Sequence, residues 1–102
     1  METTKRIYRG TELKFRLTIE ADGFSMEDDD FAVRVYSRRK SIKIPKENMI
    51  VDGEGNYIFT FGTADLDTGD ITLETTAYVP DTDFDDGIRT EVNKIELCKV
   101  LP

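Results

Sequence analysis

Leu13-Lys14-Phe15-Arg16-Leu17-Thr18-Ile19-Glu20 decides the class of this fold. Apolar side chains at 13, 15, 17 and 19 alternate with polar or charged ones at 14, 16, 18 and 20. Successive side chains of a strand point to opposite faces, so a period of two over eight residues describes a half-buried β-strand. The same period recurs on both sides. Phe31, Val33 and Val35 interleave with Ala32, Arg34 and Tyr36. Tyr57, Phe59 and Phe61 follow the turn residues Asp52-Gly53-Glu54-Gly55-Asn56, and Ile71, Leu73, Thr75, Ala77 and Val79 follow Thr68-Gly69-Asp70.

In the last segment, Ile88, Thr90 and Val92 occupy one parity and Ile95, Leu97 and Leu101 the other. One extra residue in a strand flips the facing of everything after it, so the change of phase predicts a β-bulge near Asn93-Lys94 or a strand that ends on the opposite sheet. Shorter strands are expected at Lys5–Arg9, Ser41–Ile44 and Met49–Val51, and a single helical turn at Thr63-Ala64-Asp65-Leu66-Asp67. No window of useful length carries an amphipathic helical pattern. About seven or eight strands separated by turn residues predict one all-β domain over residues 1–102, an immunoglobulin-like two-sheet antiparallel sandwich.

Composition narrows the chemistry. The chain has 102 residues and no histidine, so hydrolase triads built on histidine are excluded. Ser25, Ser37 and Ser41 lie outside any strand-turn-helix elbow. Asp52-Gly53-Glu54-Gly55 is acidic and reads as a turn rather than a phosphate loop. Two carboxylates suffice in principle for glycoside cleavage, but a domain of this size with short loops leaves little room for a sugar-distorting cleft. No catalytic residue and no cofactor is expected.

The single Cys98 has no intramolecular disulfide partner and is expected to be a small half-buried side chain. Met1 to Arg9 holds Lys5, Arg6 and Arg9 but no apolar run, so synthesis in a reducing cytoplasm is expected. No stretch approaches the roughly 20 apolar residues of a membrane span, which gives the expectation of a soluble protein without membrane contact.

Net charge is −7, with 14 bases and 21 acids, which opposes nonspecific attraction to nucleic acid. The charges are segregated. Glu20 to Asp30 holds six acids and no base, Arg34 to Lys46 six bases and no acid, and Glu47 to Gly87 eleven acids and no base. The basic run nominates Arg34, Arg38, Arg39, Lys40 and Lys43 as a partner-binding set, suited to a protein partner or a second copy with acidic flanks; the plain reading is a solvated hairpin. Asp81-Thr82-Asp83-Phe84-Asp85-Asp86-Gly87 resembles a calcium loop, but in the EF-hand frame position 6 is Asp86 rather than glycine and position 12 is Val92 rather than glutamate. A looser calcium site at this loop tip stays open, joined by Glu27 to Asp30 if the two loops lie at the same end of the molecule. Carbohydrate binding would need flat exposed rings, for which Tyr8, Tyr36, Tyr78 and Phe84 are the candidates.

The order of these features resembles a known family. A Gly-Thr pair opens the strand from Gly10 to Ile19 and an acidic linker follows. Then come the strand and basic hairpin from Phe31 to Lys40, an Asp-Gly-x-Gly-x-Tyr turn and strand from Asp52 to Phe61, and Leu66-x-x-Gly69 before Ile71 to Val79. From Tyr8 to Val100 this is similar to the immunoglobulin-like N-terminal domain of phage baseplate upper proteins. The resemblance implies a structural module of a tail or baseplate, hence a virion component, with no active site. Asp70 stands where an aromatic residue often follows the Leu-x-x-Gly segment, and the coiled-coil or receptor-binding extension of such proteins does not follow Pro102.

Overall fold

The computed structural model describes residues 5–102, and its regular structure is β throughout apart from two short 3-10 turns. Eight strands follow in chain order: β1 (Arg6–Tyr8), β2 (Glu12–Leu17), β3 (Phe31–Tyr36), β4 (Ser41–Ile44), β5 (Ile50–Val51), β6 (Tyr57–Gly62), β7 (Gly69–Pro80) and β8 (Ile88–Leu101). The 3-10 turns span Lys46–Asn48 and Thr63–Asp65. The second sits where the sequence predicts a single turn. Thr18, Ile19 and Glu20 fall outside β2, although Ile19 is buried as its parity requires.

Two sheets result. One has five strands in the order β1-β8-β7-β3-β4, the other three in the order β2-β6-β5. All pairings are antiparallel except one: β1 runs parallel to β8, with Arg6 beside Lys99 and Tyr8 beside Leu101. The expectation of purely antiparallel sheets is corrected here, for a connective reason. After β1 the chain turns at Gly10, whose φ of 102° suits glycine, and crosses to β2 in the other sheet. No hairpin therefore ties β1 to its neighbour, and nothing imposes opposite directions.

The alternating apolar residues of both sheets meet in one buried cluster. Leu13, Leu17, Phe59 and Phe61 come from the small sheet, and Val33, Val35, Ile71, Leu73, Val79 and Val100 from the large one. Phe15 stacks with Phe59 and Phe61 at ring separations of 5.7 and 5.9 Å, and the Phe31 ring meets Tyr57 edge-on at 5.6 Å. Offset and edge-on rings of this kind add to the stabilisation from area alone. Cys98 is more deeply placed than its expected half-burial, at 1% exposure in the same cluster, and burial pushes its thiol pKa up.

The bulge exists but lies elsewhere than predicted. Ile71 pairs with Cys98 while Thr72 pairs with Glu96, which leaves Leu97 as the extra residue of β8. Ile88, Thr90 and Val92 lie opposite Pro80, Tyr78 and Thr76, on the outer face of the large sheet. Their apolar character marks that outer face rather than the core, which is why parity alone misplaced the bulge.

Candidate contact surface

Register fixes which side chains share the outer face of the five-stranded sheet, because residues directly opposite in a pair point the same way. Lys43 of β4 lies opposite Arg34 of β3, Arg34 opposite Glu74 of β7, and Glu74 opposite Lys94 of β8. One row of charge thus crosses four strands. Glu74 takes both Arg34, at 3.4 Å, and Lys94, at 3.6 Å. The Arg34 guanidinium also lies 4.6 Å from the Tyr36 ring centroid, and its Nε is buried without a hydrogen-bond partner. Exposed pairs of this type contribute little to stability, so the row matters more as a charge pattern than as a brace.

The neighbouring row is uncharged: Ala32, Thr76 and Val92. Beside it, an open groove of about 630 Å³ runs between the outer face of β3, the Pro45–Glu47 turn and the Thr76 and Tyr78 side of β7. Lys46 closes one side of it. Its Nζ donates to the carbonyls of Glu27 at 3.2 Å and Asp29 at 3.0 Å, and lies over the Phe31 and Tyr57 rings at 5.2 and 5.9 Å.

The five nominated bases do not form a single cluster. Arg34 and Lys43 stand together in mid-sheet, whereas Arg38, Arg39 and Lys40 are exposed at the tip of the β3–β4 hairpin. That tip is anchored from the turn before β7. The Arg39 amide donates to Asp67 Oδ2 at 2.8 Å, Ser37 Oγ lies 3.1 Å from the same oxygen, and the Asp67 amide donates back to Ser37 Oγ at 3.0 Å. The Arg39 amide and the Ser37 hydroxyl hold the Asp67 carboxyl below its ordinary pKa. Arg39 and Lys40 thus flank a carboxylate, which reduces the net positive charge of the tip.

The acidic segments converge at the opposite end. Leu17 pairs with Tyr57, so the 18–30 linker and the 52–56 turn leave the small sheet side by side. The 81–87 loop joins them through Arg89, whose Nη1 pairs with Asp81 and whose Nη2 donates to the Asp22 carbonyl at 2.9 Å. The two loops thus share an end, and among the described residues no three acidic or cysteine side chains converge to hold a metal. The carboxylates serve their own turns instead. Asp29 accepts from the Ser25 amide, Asp81 from the Asp83 amide and Asp86 from the Ile88 amide. Asp52 accepts from the Asn56 amide and side chain and from the Glu54 amide, which hold its carboxyl below the usual range.

The four candidate sugar-stacking rings are dispersed. Tyr8 is on the parallel edge strand, Phe84 at the tip of the acidic loop, and Tyr36 and Tyr78 at opposite ends of the outer face, roughly 20 Å apart by strand rise. Sequence reasoning missed three features: the Ser37–Asp67 anchor, the charge row, and the free edge of β8. The first two depend on pairing between segments distant in the chain, Ser37 with Asp67, Arg34 with Glu74 and Glu74 with Lys94. The strand parity of Arg34, Glu74 and Lys94 is their only trace in the sequence.

No protein-family model, curated protein or solved structure matches the chain.

Proposed function

We propose that the chain is a noncatalytic assembly module, an immunoglobulin-like two-sheet sandwich that works by protein–protein contact, akin to the domains of phage tails and baseplates that its sequence resembles. The observation that carries this reading is the strand order. A variable-type immunoglobulin sandwich sets a sheet built on its third, sixth and seventh main strands, with an added strand beside the third, against a sheet built on its second, fifth and fourth. Here the strand orders β8-β7-β3-β4 and β2-β6-β5 follow the same succession. The inter-sheet disulfide and buried tryptophan of antibody domains have no counterpart, since the chain has one cysteine and no tryptophan. Phe31, Tyr57, Phe59 and Leu66 supply core volume instead.

On this reading Arg38, Arg39, Lys40 and Lys43 meet an acidic surface of a partner, with charge setting register and encounter rate more than affinity. The test is co-expression with the products of adjacent genes, followed by light scattering at ~50 and ~500 mM salt, with and without calcium. A stoichiometric complex that charge reversal at Arg38, Arg39 and Lys40 weakens supports the reading. Absence of any complex, together with a melting temperature that calcium raises, overturns it in favour of a ligand-binding sandwich.

A further inference from the structure

β8 is fourteen residues long, yet among the described residues β1 covers only Lys99–Leu101 of its outer side. Among the described residues, the strand from Ile88 to Asn93 pairs with β7 alone. A backbone bond at its start fixes which amides face outward. The Asp81 amide donates to the Gly87 carbonyl at 2.9 Å, so Gly87 turns toward β7. In an antiparallel ladder the backbone groups alternate sides. Arg89, Glu91 and Asn93 therefore bond to β7, while Ile88, Thr90, Val92 and Lys94 turn their backbone groups to the open edge, where the Ile88 amide alone is taken up, by its own Asp86 Oδ1 at 3.0 Å. Ile88 and Val92 are also 40% and 52% exposed on the outer face. An open edge with exposed apolar side chains is a template for another extended segment.

The side chains along this edge specify what that segment is. In a two-fold antiparallel pairing of β8 with itself, each register is defined by the residue at the axis. With Thr90 at the axis, Ile88 lies opposite the partner's Val92 and Arg89 opposite the partner's Glu91. Each pair is threonine with threonine, apolar with apolar, or opposite in charge, the classes that stabilise cross-strand neighbours. The nearby registers are poorer. Axes at Arg89, Glu91 or Lys94 set like charges on one another. An axis at Val92 sets Ile88 against the partner's Glu96 and Arg89 against the partner's Ile95, and one at Asn93 sets Val92 against the partner's Lys94. Arg89 is already held in place by Asp81 and lies 3.8 Å from Glu91 of its own strand, so the paired strands would carry a ring of two arginines and two glutamates.

We propose that two copies of the chain pair through the free edge of β8, antiparallel about a two-fold at Thr90, continuing the five-stranded sheets of both into one. This deepens the contact-module reading and rests on it only in assigning a partner surface; the pairing itself is tested on the protein alone. Five residues per copy make a small interface, and each copy carries −7, so the dimer is concentration-dependent.

The test is sedimentation velocity from ~5 to ~500 μM at ~150 mM salt, where long-range repulsion is screened and adjacent pairs are not. Thr90→Pro removes an N–H that bonds to nothing within the sheet, so the monomer tolerates it on an edge strand. The wild type is expected to shift toward dimer with concentration and Thr90→Pro to stay monomeric. Glu91→Arg, which faces the partner's Arg89, should dimerise about tenfold more weakly, and the exchange Arg89→Glu with Glu91→Arg should recover most of that loss. Melting curves of all variants confirm that they fold. A wild type that stays monomeric to ~500 μM overturns the proposal, as does a dimer that folded Thr90→Pro and Glu91→Arg leave unchanged. A monomer that still binds the product of an adjacent gene removes the β8 pairing and leaves the contact-module reading standing.

Discussion

Ser37 and Asp67 hold each other across 30 residues of chain: the Asp67 amide donates to Ser37 Oγ at 3.0 Å, and that hydroxyl lies 3.1 Å from Asp67 Oδ2. The Lys40 carbonyl is a second acceptor for the same hydroxyl, at 3.2 Å. This contact fastens the basic hairpin to the segment that leads into β7, so it sets where Arg38, Arg39 and Lys40 stand relative to the sheet. Ser37 is buried at 6% exposure, and without its hydroxyl the Asp67 amide loses its acceptor, although the Lys40 carbonyl and Asp67 Oδ2 still accept from the Ser37 and Arg39 amides. Ser37→Ala should cost about 1–2 kcal/mol, read as a fall of several degrees in Tm. Amide exchange in residues 37–40 should rise by a larger factor than exchange in β7.

The same anchor gives a pH dependence. Asp67 and Asp52 are held below the ordinary carboxyl pKa by hydrogen bonds from the Arg39 amide and the Asn56 amide respectively. A group whose folded pKa is depressed contributes stability that is complete above its unfolded value, near 3.9, and is lost as pH falls through the lower folded value. Asp67→Asn should therefore lower Tm relative to wild type at pH 7, and the gap should narrow as pH falls below about 4. Melting curves across that window check it. A gap that is constant with pH would mean that the carboxylate charge plays no part in the anchor.

Thr63 is fully buried, and its hydroxyl works in both directions: Oγ1 donates to the Thr11 carbonyl at 2.8 Å and accepts from the Gly10 amide at 2.9 Å. Those two bonds fix the crossing from β1 to β2. Thr63→Val keeps the shape and removes both, so a loss of about 2 kcal/mol is expected. Thr63→Ser keeps the hydroxyl, loses one methyl and should cost only about 1 kcal/mol. Denaturant midpoints of the two variants decide the order. A valine variant at least as stable as the serine one would contradict the assignment.

Cys98 faces the core opposite Ile71. Its depth and raised pKa predict a thiol that a water-soluble disulfide reagent does not label in the native state. Labelling should follow unfolding, reaching the free-thiol rate only in denaturant. Rapid labelling of folded protein would place this part of β8 in a locally open state.

Much of the fold was legible because a half-buried strand carries its own facing in its parity. β3 and β4 begin and end where alternation predicts, and Leu13, Phe15 and Leu17 face Phe61, Phe59 and Tyr57 as their shared parity requires. Leu66 has no strand parity to mark its facing. It lies in a turn of the sequence yet is fully buried, because the Thr63–Asp65 turn folds it back into the core. Of the nominated contact residues, the sequence placed Arg38, Arg39 and Lys40 correctly in a turn between strands. It grouped Arg34 and Lys43 with them by proximity in the chain, although both lie in mid-sheet beside Glu74 or its neighbour.

Local sequence determined the β class, the strand positions, the absence of histidine chemistry and the segregation of charge, since each depends only on residue type and on spacings of a few residues. Tertiary structure alone decided the parallel pairing of β1, the shift of the bulge to Leu97, the row from Lys43 to Lys94, and the free edge of β8. Those features depend on which distant strands become neighbours. Neighbour choice follows from closing one core with all the apolar faces at once, a condition that no single stretch of the chain contains.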